Sequence, residues 1–253
     1  MSGPVRDWDA STYDRVSHIQ QEWAAAVLDR LPLRGDETVL DAGCGSGRVT
    51  AMLLERLPRG HVMAVDSAPS MVEHARAALG DRATVIQSDL LDLELDEPVD
   101  AAFSNAVFHW VPDHGLLYHR LHAALRPGAP LVAQYGGAGN VEQFHRTAKA
   151  VGAEEPYAEH LAGWHGPWNF TTAEQARDWL EAAGFGEVRA WLEPRPMRPD
   201  EPRDYIRAVC LGPHLKRLPE ELRGPYVDAV AERMGDPPTI DYVRLNITAR
   251  RGG

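Results

Sequence analysis

The chain predicts an α/β fold built on a parallel sheet, and three observations carry that prediction. Short β-branched runs alternate with helical stretches of roughly 10–15 residues, the pattern of βαβ units with right-handed crossovers. A glycine cluster follows the first of those runs directly. Four successive strands then finish in small or polar residues, so that these residues share one edge of a sheet.

Taken in order, Ser17 to Leu31 carries Ile19, Trp23, Ala26, Val27 and Leu31 at helical spacing, and Pro32 ends the run. Thr38 to Leu40 reads as a strand, Arg48 to Leu57 as a helix, His61 to Val65 as a strand and Ser70 to Leu79 as a helix. Ala83 to Gln87 and Val99 to Ser104 are strands, Gly115 to Leu125 a helix, and Pro130 to Tyr135 a strand. Beyond Gly139 the texture changes. Val141 to Gly152 is helical, and Glu154 to Phe170 is rich in aromatic residues, His and Gly. Thr172 opens a helix to Ala183, with Gln175 in its first turn and Gly184 as a left-handed stop. Phe185 to Leu192 is a strand, Arg203 to Leu211 and Pro219 to Met234 are helical, and Asp241 to Arg250 alternates as a final strand. Helices set between late strands are expected to form a lid over the carboxyl ends of the sheet.

Composition narrows the function classes. Lys and Arg number 26 against 37 Asp and Glu, a net charge of −11, with no basic run; a phosphate backbone is therefore not the expected partner. Cys44 and Cys210 are isolated, which argues against a disulfide framework and a thiolate metal site. The start, MSGPVRDWDA, lacks a basic segment followed by an apolar one, and nowhere do about 18 apolar residues run together. A cytoplasmic protein with no membrane partner is expected, acting on a small molecule as a monomer or homodimer.

The informative segment is Val39-Leu40-Asp41-Ala42-Gly43-Cys44-Gly45-Ser46-Gly47, where a strand runs into glycines and then a helix. Glycines there permit positive φ and close approach of a ligand to the backbone. The dinucleotide fingerprint Gly-x-Gly-x-x-Gly fails, because Arg48 falls where its third Gly would be. Asp66 ends the second strand, 23 positions beyond Gly43, the spacing at which a carboxylate accepts both hydroxyls of a ribose. Asp89 and Leu90, beyond the third strand, are placed to accept from an adenine amino group and pack its ring. Asn105 ends the fourth.

Asp41 to Gly47 resembles motif I of the class I S-adenosylmethionine-dependent methyltransferases, with Asp66 and Asp89 at that family's ribose and adenine positions. The resemblance spans Thr38 to Tyr135 and Phe185 to Arg250. It implies a Rossmann-like seven-stranded sheet, mostly parallel with an antiparallel last strand, helices on both faces and a helical lid. The cofactor it implies is S-adenosyl-L-methionine. Asp7-Trp8-Asp9-x-x-x-Tyr13 and Ser104 to His114 are similar to the trans-aconitate methyltransferase group. By that similarity Tyr13 and its segment fold over the cofactor, Asn105 lies beside its methionine portion, and Asp41, Gly43, Gly45 and Ser67 complete the cofactor site. The implied organisation is a helical segment over residues 1–33 and a methyltransferase domain over 34–253, with lid insertions at about 141–171 and 197–236.

A sulfonium methyl is already activated, so the enzyme mainly has to hold a nucleophile in line with it in a dry pocket. A carboxylate acceptor needs no base; a hydroxyl, amine or carbon does, and His109 is the candidate. Trp110, Tyr135, Trp164, His165 and Trp168, with Phe170, are the candidate acceptor pocket, able to enclose an apolar body and to favour a cation by cation–π attraction. That aromatic segment replaces the several basic residues a tricarboxylate acceptor demands. Arg203, Arg207, Lys216 and Arg217 read as a solvated helix face, with an anion clamp as the functional option. No metal is expected, since His119 and His122 lack a carboxylate at ligand spacing. Methyl transfer to a carboxylate or hydroxyl oxygen is the leading reading; a cyclisation or rearrangement without transfer, and a non-catalytic sensor, are its alternatives.

Overall fold

The computed structural model describes residues 18–253, and side chains from Trp23 onward. The Asp7–Tyr13 motif lies outside the described residues. Seven strands form one sheet: β1 (Thr38–Ala42), β2 (His61–Asp66), β3 (Ala83–Gln87), β4 (Ala101–Asn105), β5 (Pro130–Gly136), β6 (Phe185–Pro194) and β7 (Val243–Arg251). Their order is β3-β2-β1-β4-β5-β7-β6. Neighbouring strands are parallel except β7, which runs antiparallel to both β5 and β6. The strand order reverses between β1 and β4, and that switch opens a crevice at the carboxyl ends of the strands.

Alternation along the strands sorts the two faces. Val39, Phe103 and Val132 join a core with α1 (His18–Leu28), α2 (Arg48–Glu55) and α3 (Pro69–Leu79). Their neighbours Leu40, Ala102 and Leu131 pack under α4 (His114–Ala124) and α7 (Ala173–Ala182). Leu28, Leu53, Leu117 and Leu121 are wholly buried, and each such side chain contributes about 1.5–3 kcal/mol. Helix α7 starts as its sequence requires. Thr172 Oγ1 accepts from the Gln175 N–H, Gln175 Oε1 accepts from the Thr172 N–H, and Gly184 at φ +100° turns the chain away.

A separate apolar cluster holds α5 (Glu142–Gly152), α6 (Ala158–Leu161) and α10 (Glu220–Arg233) together, centred on Phe144, Val151, Tyr226 and Val227. Here the helical stretch expected from Arg203 to Leu211 is present but changes pitch midway. It becomes α8 (Pro202–Tyr205), a π-helical turn over Ile206–Cys210 and α9 (Gly212–Leu215). Pro213 lies immediately beyond, where it can enter only as the start of a new helical turn. The strand expected from Val99 begins at Ala101, with Val99 making only an isolated bridge to Leu125. No described helix is long and apolar enough to cross a membrane.

Candidate active site

The loop after β1 is shaped by its glycines. Gly43 and Cys44 both donate to the Val65 carbonyl, at 2.8 and 2.9 Å, folding the chain over the tip of β2. Gly43 sits at φ +90°, and a Cβ there would overlap the Val107 side chain. Gly45, at φ +55°, has nothing within 4 Å of where a Cβ would stand, so its backbone faces open space. Burial pushes the Cys44 thiol far above its ordinary range, which leaves it a small filler of the turn rather than a nucleophile.

Carboxylates gather beneath this loop. Asp66 Oδ2 accepts from the Gly45 N–H and Oδ1 from the Ala68 N–H, both at 2.9 Å. Burial raises its pKa, and the backbone donors of Ala68, Gly45 and Ser67 partly offset the rise. Asp41 is buried and accepts from Thr50 Oγ1 at 2.6 Å. Burial is the main reason its pKa reaches about 7, and the nearby Asp66 charge adds to the rise. Asp89 caps the Leu90–Asp92 turn by accepting from the Leu91 N–H at 2.9 Å. At the end of β4, Ser104 Oγ donates to the Ala42 carbonyl at 2.6 Å, tying the two central strands together. Asn105 Oδ1 is buried and has no hydrogen-bond partner among the described residues. Ala106 beside it holds φ +62°, a conformation alanine enters only under constraint.

These residues line one cavity of about 1140 Å³. Small-molecule sites typically span about 300–1,000 Å³, so this one has room for a cofactor and a second small molecule. Asp41, Gly43, Gly45, Asp66, Ser67, Asp89, Leu90 and Asn105 line one part; His109, Trp110, Trp164, Trp168 and Phe170 line another. His109 is buried, its Nδ1 accepts from the Gly136 N–H at 3.4 Å, and its ring lies against Trp110 and Phe170, with centroids 4.9 and 5.9 Å away.

Two expectations fail. Tyr135 does not reach the cavity. It follows Leu131 and Ala133 on the face of β5 that packs under α4 and α7, and its hydroxyl bonds Tyr118 Oη at 2.9 Å and Thr171 Oγ1 at 3.2 Å. The period of two in a strand decides this. His165 is exposed and is not a lining residue: its neighbours Trp164 and Trp168 take the inward positions, packed against His214 and His145. Among the described residues no group of three or more His, Cys, Asp or Glu could hold a metal ion.

Other lining residues were not read from the sequence: Trp23, Asn140, Phe144, His145 and Arg244. Arg244 is 5 % exposed, its Nε donates to Gln134 Oε1 at 3.4 Å, and its guanidinium lies 5.7 Å from the Trp23 ring centroid. The sequence hid it, since Arg244, Asn246, Thr248 and Arg250 alternate with Val243, Leu245, Ile247 and Ala249 as in a strand with one solvated face. The basic cluster read as a helix face divides. Arg203 pairs with Asp228, whereas Lys216 and Arg217 are exposed but line the mouth of the cavity.

The donor set suits an adenosine bearing a cationic sulfur. The Asp66 carboxylate keeps lone pairs beyond its two backbone bonds, which fits a ribose, and its charge fits a sulfonium; the buried Asn105 Oδ1, without a partner among the described residues, fits an ammonium. The comparisons agree. The methyltransferase-domain family matches residues 39–128. The trans-aconitate 2-methyltransferase of Methylobacterium nodulans is 31 % identical, over 98 % of this chain and 99 % of its own. That of an Azoarcus species is 33 % identical over 94 % of each. Among solved structures, phosphoethanolamine N-methyltransferase 2 of Haemonchus contortus, bound to S-adenosylhomocysteine, covers 96 % of this chain and 57 % of its own length. It superposes with a TM-score of 0.66 at 18 % identity, a likeness of fold.

Proposed function

The chain belongs to the trans-aconitate 2-methyltransferase family of S-adenosylmethionine-dependent methyltransferases, and from that premise we propose that it methylates a carboxylate oxygen of a small-molecule acid. One observation carries the acceptor assignment. Charge is uneven across the cavity: Asp41, Asp66, Asp89 and Asp92 outnumber Arg48 around the tips of β1 to β3, while Arg244, Lys216 and Arg217 line the part formed by β7 and the helices after β6. A cation belongs at the first end and an anion at the second.

Bound S-adenosyl-L-methionine supplies an electrophilic methyl on a cationic sulfur, so transfer to a carboxylate breaks a C–S bond, forms a C–O bond and cancels two charges. The residues divide that work. Asp66 accepts from the ribose hydroxyls, Asp89 and Leu90 hold the adenine, and Gly43, Gly45 and Ser67 admit the cofactor against the backbone. Asn105 accepts from its ammonium, and Asp41 braces the loop through Thr50. Residues at about 141–171 and 197–236 supply the lid. Trp110, Phe144, Trp168 and Phe170 exclude water from the acceptor end, which favours a transition state in which charge is being dispersed.

A carboxylate is ionised at neutral pH and needs no base, so His109 serves as a positioning residue. Its Nδ1 accepts from the Gly136 N–H, which helps to hold the ring against Trp110 and Phe170 at the acceptor end. His109→Gln keeps a donor and is expected to retain turnover within about tenfold; a lost general base would cost about 10²–10⁴. The deciding experiment incubates the enzyme with acids and a labelled methyl donor. A methyl ester, which releases labelled methanol in mild alkali, is expected; label stable to alkali would refute the carboxylate reading.

A further inference from the structure

The loop that leaves β5 clamps one polar side chain at the acceptor end of the cavity. The Gly137 N–H donates to the Val243 carbonyl at 3.0 Å, the Ala138 N–H to the Thr171 carbonyl at 2.8 Å, and the Val141 N–H to the Asp241 carbonyl at 2.9 Å. Val141 sits at φ +49°, where a β-branched residue stands only when its surroundings over-determine the backbone. Between these anchors Asn140 is 5 % exposed and lines the cavity.

The amide of Asn140 has one orientation open to it. Its Oδ1 accepts from the Val243 N–H at 3.0 Å, and a backbone N–H can only donate, so the amino group faces the other way. There Nδ2 lies 2.6 Å from the place a Cβ on Gly136 would take, and Phe170 Cε1 lies 2.8 Å from that same place. Gly136 itself donates to His109 Nδ1 at 3.4 Å. The amino group of Asn140 and the Phe170 ring therefore share a neighbour that has no side chain to separate them. No described residue accepts from Nδ2. Buried amides are as a rule paired, so two open N–H donors on a cavity wall mark a place for an acceptor atom of a ligand.

We infer that Asn140 orients the acceptor carboxylate, donating from Nδ2 to the oxygen that does not attack the methyl group. The inference rests on the carboxylate reading above and adds the residue that holds the reacting group. In the transfer, the attacking oxygen gives a lone pair to form the C–O bond, and the sulfur keeps the pair of the broken C–S bond. The carboxylate charge fades as this happens. A cation bonded directly to it would favour the ground state over the transition state, whereas a neutral donor fixes its position at a smaller penalty. The ring beside Phe170 on α5 stays neutral too, because burial lowers His145 to about 4, with its centroid 5.8 Å from that of Phe170. Amide N–H donors also select an oxygen over an ammonium, which would set N–H against N–H.

Two substitutions separate this role from a structural one. Asn140→Ala removes both the acceptor for Val243 and the two donors. Asn140→Asp restores an oxygen for Val243 but, at about pH 8.5 where a carboxyl is ionised, offers no donor. The probes are trans-aconitate, citrate, benzoate and trans-cinnamate, assayed for turnover with labelled S-adenosyl-L-methionine and for affinity by calorimetry with S-adenosylhomocysteine bound. For whichever acid the wild-type chain methylates fastest, both variants are expected to lose roughly 10- to 150-fold in affinity and kcat/KM, while binding S-adenosylhomocysteine within about threefold of wild type. Recovery of the acid's affinity in Asn140→Asp would overturn the inference, since the bond to Val243 would then be the whole role. Unchanged affinity in Asn140→Ala would overturn it as well, and so would an equal loss of S-adenosylhomocysteine affinity in a variant that melts as a folded chain. If the wild-type chain binds S-adenosylhomocysteine yet neither binds nor methylates any of these acids, the carboxylate reading itself falls, and this inference with it.

Discussion

Replacing Asp66 by Ala removes an acceptor that the structure uses twice before any cofactor arrives. Its two oxygens each take a backbone N–H at 2.9 Å, from Gly45 and from Ala68, so the glycine loop and the start of α3 are pinned through one carboxylate. Hydrogen bonds to a charged group contribute about 1.5–3 kcal/mol each. Both donors lie beside an open cavity where water replaces part of that, so the loss of stability is expected to be about 2–4 kcal/mol. The cofactor adds a separate effect. If the remaining lone pairs accept from ribose hydroxyls, affinity for S-adenosylhomocysteine falls by a further 1–3 kcal/mol, roughly 5- to 150-fold. Titration calorimetry with S-adenosylhomocysteine and its 2′-deoxy analogue separates the two. The wild-type chain is expected to discriminate between them, and Asp66→Ala to lose that discrimination, because the two deletions remove the same contact. A ribose-to-deoxyribose preference that survives the substitution would refute the assignment, whatever happens to stability.

Three further outcomes are expected. Asp41 holds a folded-state pKa near 7, above its ordinary 3.8, so the folded chain keeps a proton that the unfolded chain has released between those values. Its contribution to stability is full below about pH 3.8 and is lost as pH rises toward 7, with a slope of up to about 1.4 kcal/mol per pH unit; denaturant melts of Asp41→Asn should lack that slope and gain stability above pH 7. Gly43→Ala combines a left-handed backbone with overlap on Val107, a loss of about 2–4 kcal/mol. Thermal melts should show partial recovery when Val107→Ala is added, since that relieves the overlap but not the backbone. Tyr135→Phe leaves Tyr118 and Thr171 hydroxyls short of a buried partner and should cost about 1–3 kcal/mol in stability, while kinetics with the acceptor stay unchanged; an altered KM would return Tyr135 to the acceptor pocket.

The cofactor end of the cavity was legible because its physics is local. A strand that must turn sharply into a helix needs glycines at positive φ, and carboxylates at strand tips fall at intervals set by one βαβ unit. Gly43, Asp66, Asp89 and Asn105 stand out from their spacing and Asp41 from the family resemblance, and all line the same cavity. The acceptor end was harder. Tyr135 looked equivalent to Trp168 as an aromatic near the sheet's edge, yet one sits in the core and the other in the cavity. Strand parity could have excluded Tyr135. Nothing local separates Trp168 from His165, three residues earlier, because the cavity position of Trp168 depends on packing against Trp110 and His145 from distant elements.

What the chain's order of residues determined was therefore the strands and helices, the glycine loop and the polar strand tips, each set within about thirty residues by one βαβ unit. The anion side was decided by tertiary structure alone. Arg244 joins the cavity lining because β7 inserts antiparallel beside β5, and Lys216 and Arg217 join it from the segment that follows α9. A charge has no signature for its partner in sequence; its role depends on which other groups share the same low-dielectric space, and that is known only once distant segments have packed.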